Sequence, residues 1–348
     1  MIKEKVIEKV GIIYLNRAKK LNAINLTMVE QIYSILRKWE DDENINVIIF
    51  DSLGDRAFSA GGDLKEIYND YLINNKCRKK DLLFKKEYEL DKYIKSYKKP
   101  IISHWFGIVM GGGVGLTINS DLIICEPNVN WAMPETSLGF VPDVGVGKYI
   151  SNLPQALGQY VGLCGASLSS YDLIKNNIAD FCLNRDAYNI FLDKFFKFSN
   201  CYQGENLIRN IKKEIKNLEI LEIKEDTSKV QTEMSKIKKY FSYSSIKEIY
   251  NNLKASQNDK FALKAYQNLS NKDPFILTLQ FKKYFACKKL TYEQTIDLDL
   301  KIVQYAIKTK SIHEGIRTKI IDKDDNPNWP HKSFKDVSLD EIKSVLLS

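Results

Sequence analysis

Residues 100–119 read PIISHWFGIVMGGGVGLTIN. The first eight are mostly apolar, β-branched or aromatic, which reads as a buried strand. A glycine-rich loop, IVMGGGVG (108–115), follows, and a helix is expected to open at LTIN. About fifty residues upstream the same phrase occurs. There the strand VIIFDS (47–52) runs into the loop AFSAGGD (57–63) and then a helix at LKEIY. Asp63 can cap that helix, because its carboxylate accepts from free N–H groups of the first turn. A third strand, DLIICEP (121–127), comes next. Repetition of strand, glycine turn and helix predicts an α/β fold with a wound or spiral core.

Working outward, Val6 to Leu15 reads as a strand broken at Gly11. A helix is predicted after Asn25 and Thr27, with Met28, Val29, Ile32, Ile35, Leu36 and Trp39 on one face. From about Asn200 onward glycine nearly vanishes and lysine-rich amphipathic helices take over. Leu207, Ile208, Ile211, Ile215 and Leu218 form one apolar stripe, and Ile296, Leu300, Val303 and Ile307 another. The expected division is therefore a spiral core over 1–200 and a mainly α-helical region over 201–348, packed on that core.

The 348 residues are 44% hydrophobic and 28% charged, the mix of a soluble globular protein. A formal charge of +8, spread as lysines among glutamates, is mild and suits an anionic ligand. Without a helix-turn-helix, zinc-finger or RNP-like motif, no nucleic-acid partner is expected. No apolar run approaches the roughly 18 residues of a membrane span, so no membrane association is expected either. The N-terminal MIKEKVIEKVGIIYL has neither an apolar signal core nor the acid-poor character of a transit peptide. This predicts a cytoplasmic protein, with a mature form in the mitochondrial matrix as the alternative. Six cysteines without a CxxC pair and three scattered histidines give no metal-site spacing, so no metal is expected and the thiols read as reduced.

Obvious nucleotide and hydrolase motifs fail: GVGKY (145–149) lacks the P-loop frame, and GxSxG is absent. What remains are two glycine loops, each offering backbone N–H groups at a helix start. One N–H from each, converging, would form an oxyanion hole for chemistry at a carbonyl; the plainer reading makes them tight turns. Downstream lies WAMPETSLGFVPDVG (131–145), with Glu135 and Asp143 in mostly apolar surroundings. On one helix, residues eight apart would be separated by about 12 Å. Pro134, Gly139, Pro142 and Gly145 forbid that helix, so the chain turns and the two acids can converge. A desolvated carboxylate gains basicity and can carry a proton. The alternatives are a helix cap or a partner for a buried Arg at Glu135, and an N-cap at Asp143.

LNRAKKLNAIN (15–25), AFSAGGDLKE (57–66), GIVMGGGVGL (107–116) and MPETSLGFVPDVG (133–145) resemble the signature blocks of the crotonase (enoyl-CoA hydratase/isomerase) superfamily. Within it they are most similar to the 3-hydroxyisobutyryl-CoA hydrolase branch, as is the tail block HEGIRTKIIDKDDNPNW (313–329). The resemblance implies a crotonase-type ββα spiral core with an extended C-terminal helical region. It also implies an acyl-CoA substrate and no separate cofactor. By position, Gly62 and Gly112 would donate their N–H groups to the thioester oxygen. Lys20, Leu21, Ala60, Asp63 and Leu64 would contact CoA, and Glu87 the substrate, although an exposed helix charge among lysines is the other reading of Glu87. Hydratases of the superfamily carry a first glutamate where this chain has Gly115, and commonly a glycine where it has Asp143. Glu135 and Asp143 together resemble the catalytic pair of the hydrolase branch. Val146, Lys148, DPFILTLQ (273–280) and Asp299 depart from the branch pattern.

The expected function is hydrolysis of a short hydroxyacyl-CoA, foremost 3-hydroxyisobutyryl-CoA to 3-hydroxyisobutyrate and CoA, as in valine breakdown. Two alternatives stand beside it, an enoyl-CoA hydratase or isomerase of the same fold and a non-catalytic, ribosome-associated scaffold. Homo-oligomers are common among the superfamily's hydratases, and the enlarged helical part offers a substitute for their contacts.

Overall fold

The N-terminal strand expected over Val6–Leu15 is in fact two. Strands β1 (Ile2–Ile7) and β2 (Val10–Leu15) form an antiparallel hairpin that turns at Glu8, whose φ of 50° is left-handed. Gly11 does not break anything; it lies inside β2, opposite Val6. A Cβ at Gly11 would lie 2.7 Å from the Trp39 ring, so the glycine makes room for an indole brought in by the following helix. That helix, Leu26–Glu40, starts before Thr27 rather than after it, because the Asn25 side chain caps it by accepting from the Met28 N–H at 3.1 Å. Met28, Val29, Ile32, Leu36 and Trp39 are buried, with Ile35 at the edge of the stripe.

The computed structural model describes residues 1–69, 81–217 and 228–347; Leu218 of the expected stripe lies outside them. Strands β3 (Val47–Ser52), β5 (Ile101–Trp105), β7 (Leu122–Cys125) and β9 (Phe181–Cys182) join β1 and β2 in a six-stranded sheet, in the order β1-β2-β3-β5-β7-β9. All pairings beyond the hairpin are parallel. A second, three-stranded sheet contains β4 (Ala57–Ser59), β6 (Ile108–Met110) and β8 (Asn130–Ala132). Each repeat thus gives its first strand to the large sheet and its second to the small one, and then makes a short helical turn. This corrects the expected loops. AFS and IVM are strands, and the helix after the second glycine run is Gly112–Gly115, formed by the glycines themselves and ending before Leu116.

Beyond β9 the described elements are all helices. The chain packs as two compact units, each assembled from three stretches: Met1–Gly62, Glu89–Trp131 and Leu168–Gln231, and Asp63–Tyr88, Ala132–Ser167 and Thr232–Ser348. The change to helices therefore falls after Cys182, ahead of residue 200, and the compact units follow other boundaries. In the first unit helices Arg185–Ser199 and Gly204–Asn217 cover one face of the large sheet, where Leu207, Ile211 and Ile215 meet Ile12, Ile49, Ile102 and Ile124. No helix among the described residues is long and apolar enough to cross a membrane.

At the end of that apolar face sits a buried ionic group. His104 is fully buried, its Nδ1 3.1 Å from Asp51 on β3 and its Nε2 3.2 Å from Glu126 after β7. Arg185 pairs with the same Glu126 oxygen at 2.6 Å, and the Tyr188 ring stacks on the imidazole with centroids 3.5 Å apart. Burial acts to lower the His104 pKa, but Asp51 and Glu126 outweigh it and the net direction is upward. Two cations then balance two carboxylates. Because the folded pKa exceeds the unfolded one, this contribution is complete below about pH 6.5 and fades as pH climbs through the raised value. A His104→Leu variant is expected to lose about 3–5 kcal/mol at pH 6, with a deficit that shrinks toward pH 9. Paired melting curves across that range check the sign; a deficit that grows with pH contradicts it.

Candidate active site

In the first unit, the two glycine turns leave neighbouring parallel strands, since Ala57 pairs with Ile108 and Ser59 with Val109. They therefore emerge at the same end and touch. A Cβ on Gly61, which has a φ of 93°, would lie 3.2 Å from the Met110 carbonyl and 3.5 Å from the Gly112 nitrogen. One on Gly113 would lie 2.5 Å from the Ser59 Cβ. Glycine is required for this approach. Gly112 opens the helix Gly112–Gly115, so its N–H belongs to a first turn that no helix carbonyl reaches. Gly62 bridges to Ile24 through the neighbouring Gly61 carbonyl, which accepts from Ile24 at 2.8 Å. Among the described residues its own N–H makes no turn or loop bond to a backbone carbonyl.

The block around LNAIN braces the first turn. Asn22 is buried, donates to the Ala57 carbonyl at 3.0 Å and accepts from the Arg17 N–H at 2.8 Å. Its own carbonyl accepts from Ser59 Oγ, and the Leu21 carbonyl accepts from the Ala60 N–H at 2.9 Å. Leu21 and Asn22 both have left-handed backbones, with φ of 50° and 53°. Lys20, Leu21, Ala60, Gly62 and Gly112 are thus gathered in one unit, with Lys20 exposed and Leu21, Ala60 and Gly62 half-buried.

Asp63 and Leu64 belong to the second unit. Asp63 is buried and caps Leu64–Glu66, accepting from the Glu66 N–H at 3.2 Å, as its position predicted.

The second unit also contains the three expected acids. Glu135, Asp143 and Glu87 are only 4%, 4% and 7% exposed, so the reading of Glu87 as a solvated charge on helix Leu82–Lys95 is corrected. Glu135 opens the short 3₁₀ helix Glu135–Leu138 after Pro134. Gly139 and Gly315 let the segment Ser311–Ile316 sit on this turn, because a Cβ on either would fall 2.1–2.2 Å from opposing backbone atoms. That is the structural content of the HEGIRT tail block. Lys272, fully buried, braces the same turn by donating to Thr136 Oγ1 at 2.9 Å and the Leu163 carbonyl at 2.6 Å.

Electrostatically the acids form one group. Burial, then the neighbouring Asp143, pushes Glu87 up to about 8. Burial and Asp143 likewise hold Glu135 well above the usual carboxylate range. Asp143 is pushed up to about 7 by burial; a hydrogen bond from Tyr88 and the charge of Lys283 act downward, while Asp299 acts upward. Tyr88 donates to Asp143 Oδ2 at 2.6 Å. Glu135 Oε2 and Glu87 Oε1 are buried with no hydrogen-bond partner among the described residues. Near neutral pH this cluster both stores and accepts protons, as carbonyl chemistry needs.

Four supporting residues escaped the sequence reading: Tyr88, Lys272, Lys283 and Tyr292. Asp299 is one of the departures from the branch pattern. It is fully buried, and it pairs with Lys283. The expected stripe Ile296–Leu300–Val303–Ile307 is rotated accordingly. Ile296 and Val303 are buried, Leu300 and Ile307 only half so, and the buried face runs through Asp299 and Ile302. An acid flanked by Ile296 and Val303 at helical spacing was the available signal.

These features together define an enzyme of crotonase type, acting on an acyl-CoA thioester. A family model described as enoyl-CoA hydratase/isomerase matches residues 10–346, and the chain belongs to that family. The mitochondrial 3-hydroxyisobutyryl-CoA hydrolase of Xenopus tropicalis is 32% identical over 339 residues, covering 97% of this chain and 86% of the relative. The human enzyme of the same name is 30% identical over 337 residues, covering 96% and 85%. Among solved structures, an enoyl-CoA hydratase from Rhodobacter sphaeroides superposes with a TM-score of 0.84 at 27% identity, covering 99% of this chain and 97% of that one. A carnitinyl-CoA dehydratase from Mycobacterium thermoresistibile gives 0.86 at 25% identity, covering 100% and 96%. The crotonase-type ββα core with its extended helical region is therefore the fold.

The cytoplasmic expectation is overturned, because the curated relatives named above carry mitochondrial names. Its basis was the N-terminal segment, whose residues Ile2–Ile7 form a strand of the sheet.

Proposed function

We propose that this enzyme hydrolyses a short hydroxyacyl-CoA thioester, with 3-hydroxyisobutyryl-CoA as the preferred substrate. The observation that carries the reading is the buried pair of Glu135 and Asp143, combined with a glycine at 115, where a hydratase would need its first acid. Support also comes from relatives named as that hydrolase along nearly the whole chain. Their mitochondrial names support the same compartment here.

In the proposed mechanism the Gly62 and Gly112 N–H groups polarise the thioester oxygen, each contributing about 10²–10³ in rate. Lys20, Leu21, Ala60, Asp63 and Leu64 contact CoA. Glu135 takes a proton from water as its oxygen adds to the carbonyl carbon, or attacks that carbon itself to give an anhydride that water then opens. Asp143 positions the water or the substrate hydroxyl and passes a proton to the departing CoA sulfur. Glu87 accepts from the acyl hydroxyl.

Free-thiol release measured across a panel of acyl-CoAs tests the reading, with 3-hydroxyisobutyryl-CoA expected to be fastest. No thiol above background contradicts it. Hydrolysis in ¹⁸O-water separates the two routes, since label retained in Glu135 marks an anhydride. A second reading, hydration of an enoyl-CoA, is favoured by the family model and by the solved hydratase. It predicts loss of enoyl absorbance from crotonyl-CoA without thiol release.

A further inference from the structure

The segment carrying Asp143 is held in an unusual shape. Val144, the next residue, has a φ of 51°, a left-handed conformation that a β-branched side chain resists. Such a backbone persists only where its surroundings over-determine it. Here three side chains from two helices, Pro274–Cys287 and Tyr292–Lys308, each bond a different backbone group around Asp143. Lys283 Nζ donates to the Pro142 carbonyl. Tyr292 Oη donates to the Val144 carbonyl at 3.2 Å, and Asp299 Oδ2 accepts from the Gly145 N–H at 2.9 Å. Lys283 and Asp299 also pair with each other, at 1% and 0% side-chain exposure.

The glycines of this segment fit the same picture. A Cβ on Gly145 would lie 2.2 Å from the Tyr292 ring, and one on Gly147 would lie 3.1 Å from Lys283 Cε. Gly145, with its φ of 74°, is where the Tyr292 ring leaves no room for a side chain, and Gly147 faces Cys287 and Lys283. A buried ion pair is a poor source of stability compared with apolar packing, and its better-attested use is to select one conformation.

We infer that Lys283, Asp299 and Tyr292 are positioning residues that clamp backbone 142–145 in its strained form and so aim the Asp143 carboxylate. This rests on the reading of Asp143 as a catalytic group. Tyr88 bonds the carboxylate directly, and the clamp fixes the backbone from which it projects.

Two variants loosen the clamp. Tyr292→Phe removes one hydroxyl. Lys283→Met with Asp299→Asn removes both charges and the bond to Pro142, while keeping an acceptor for the Gly145 N–H. Thiol release is expected to show kcat about 10-fold lower for the first and about 10²-fold lower for the second, with KM within about twofold. Amide exchange at Gly145 and Val146 is expected to quicken about tenfold in both. Adding Val144→Gly, which accepts the positive φ without strain, is expected to restore most of the lost kcat. A structural defect would not be repaired that way.

Parent-like kcat and parent-like exchange in Tyr292→Phe overturn the clamp, as does failure of Val144→Gly to restore activity in a variant that has lost it. If the double variant does not fold, Tyr292→Phe alone carries the test. A parent that releases no thiol from any acyl-CoA overturns the hydrolase reading instead, and amide exchange then judges the clamp without activity.

Discussion

Glu135→Gln is expected to lower thiol release by about 10²–10⁴-fold and, in the same protein, to raise the melting temperature. The first effect follows from loss of a general base, whose removal typically has that range; if Glu135 attacks the carbonyl itself, the loss reaches the upper end or beyond. The second follows from its setting. Glu135 is 4% exposed, and burial and Asp143 hold its pKa well above the ordinary value. The folded state therefore binds a proton that the unfolded chain has released. Below about pH 4 both states are protonated and the side chain has no effect on the balance. As pH rises from there through the raised value, stability falls. Glutamine does not ionise, so its advantage is absent in acid and grows toward pH 8, where a gain of a few degrees, about 2–6 °C, is expected. Melting curves at pH 5 and pH 8 with kinetics on the same preparations check both halves. An equal gain at both pH values, or undiminished thiol release, contradicts the assignment.

The next largest effect is expected from deleting a single backbone N–H. Gly112 is the first residue of the helix Gly112–Gly115 and follows Gly111, whose φ is 48°. Proline is accepted at a first helical position, because its missing N–H has no helix partner there and its φ is already helical. Gly112→Pro therefore removes a donor while leaving the short helix its own bonds. A fall of about 10²–10³ in kcat, with KM changed far less, is expected if this N–H stabilises the oxyanion. Gly113→Ala is the control for simple crowding, since its Cβ would strike Ser59 at 2.5 Å and should lower the melting temperature first. A Gly112→Pro enzyme that folds and turns over at the parent rate removes Gly112 from the mechanism.

What the sequence made legible was local. The strand Val47–Ser52 and the Asp63 cap rest on neighbours within a few residues, and they agree with the structure. Gly11 was misread because its reason, the Trp39 ring, comes from another element. The glycine run at 112–115 looked like loop by propensity, yet Trp105 and Thr117 pin it as helix: the indole N–H donates to Thr117 Oγ1 at 2.9 Å, and that hydroxyl donates to the Gly113 carbonyl at 2.8 Å. Glu135 and Asp143 could be picked out because an acid among apolar residues is conspicuous. Their supports could not: the Gly145–Asp299 bond spans 154 positions and the Lys272–Thr136 bond 136. Nothing in a lysine-rich region marks which lysine will be buried.

The order of the large sheet has a consequence for solubility. Its two ends are β1 and β9, and an open strand edge is a template on which another chain can stack. At one end, β1 reads IKEKVI with its middle four residues exposed, so an incoming strand would meet Lys3, Glu4 and Lys5 in close succession. At the other, β9 is two residues long, too short to nucleate pairing. Charge guards one border and brevity the other. Runaway stacking through this sheet is thereby disfavoured.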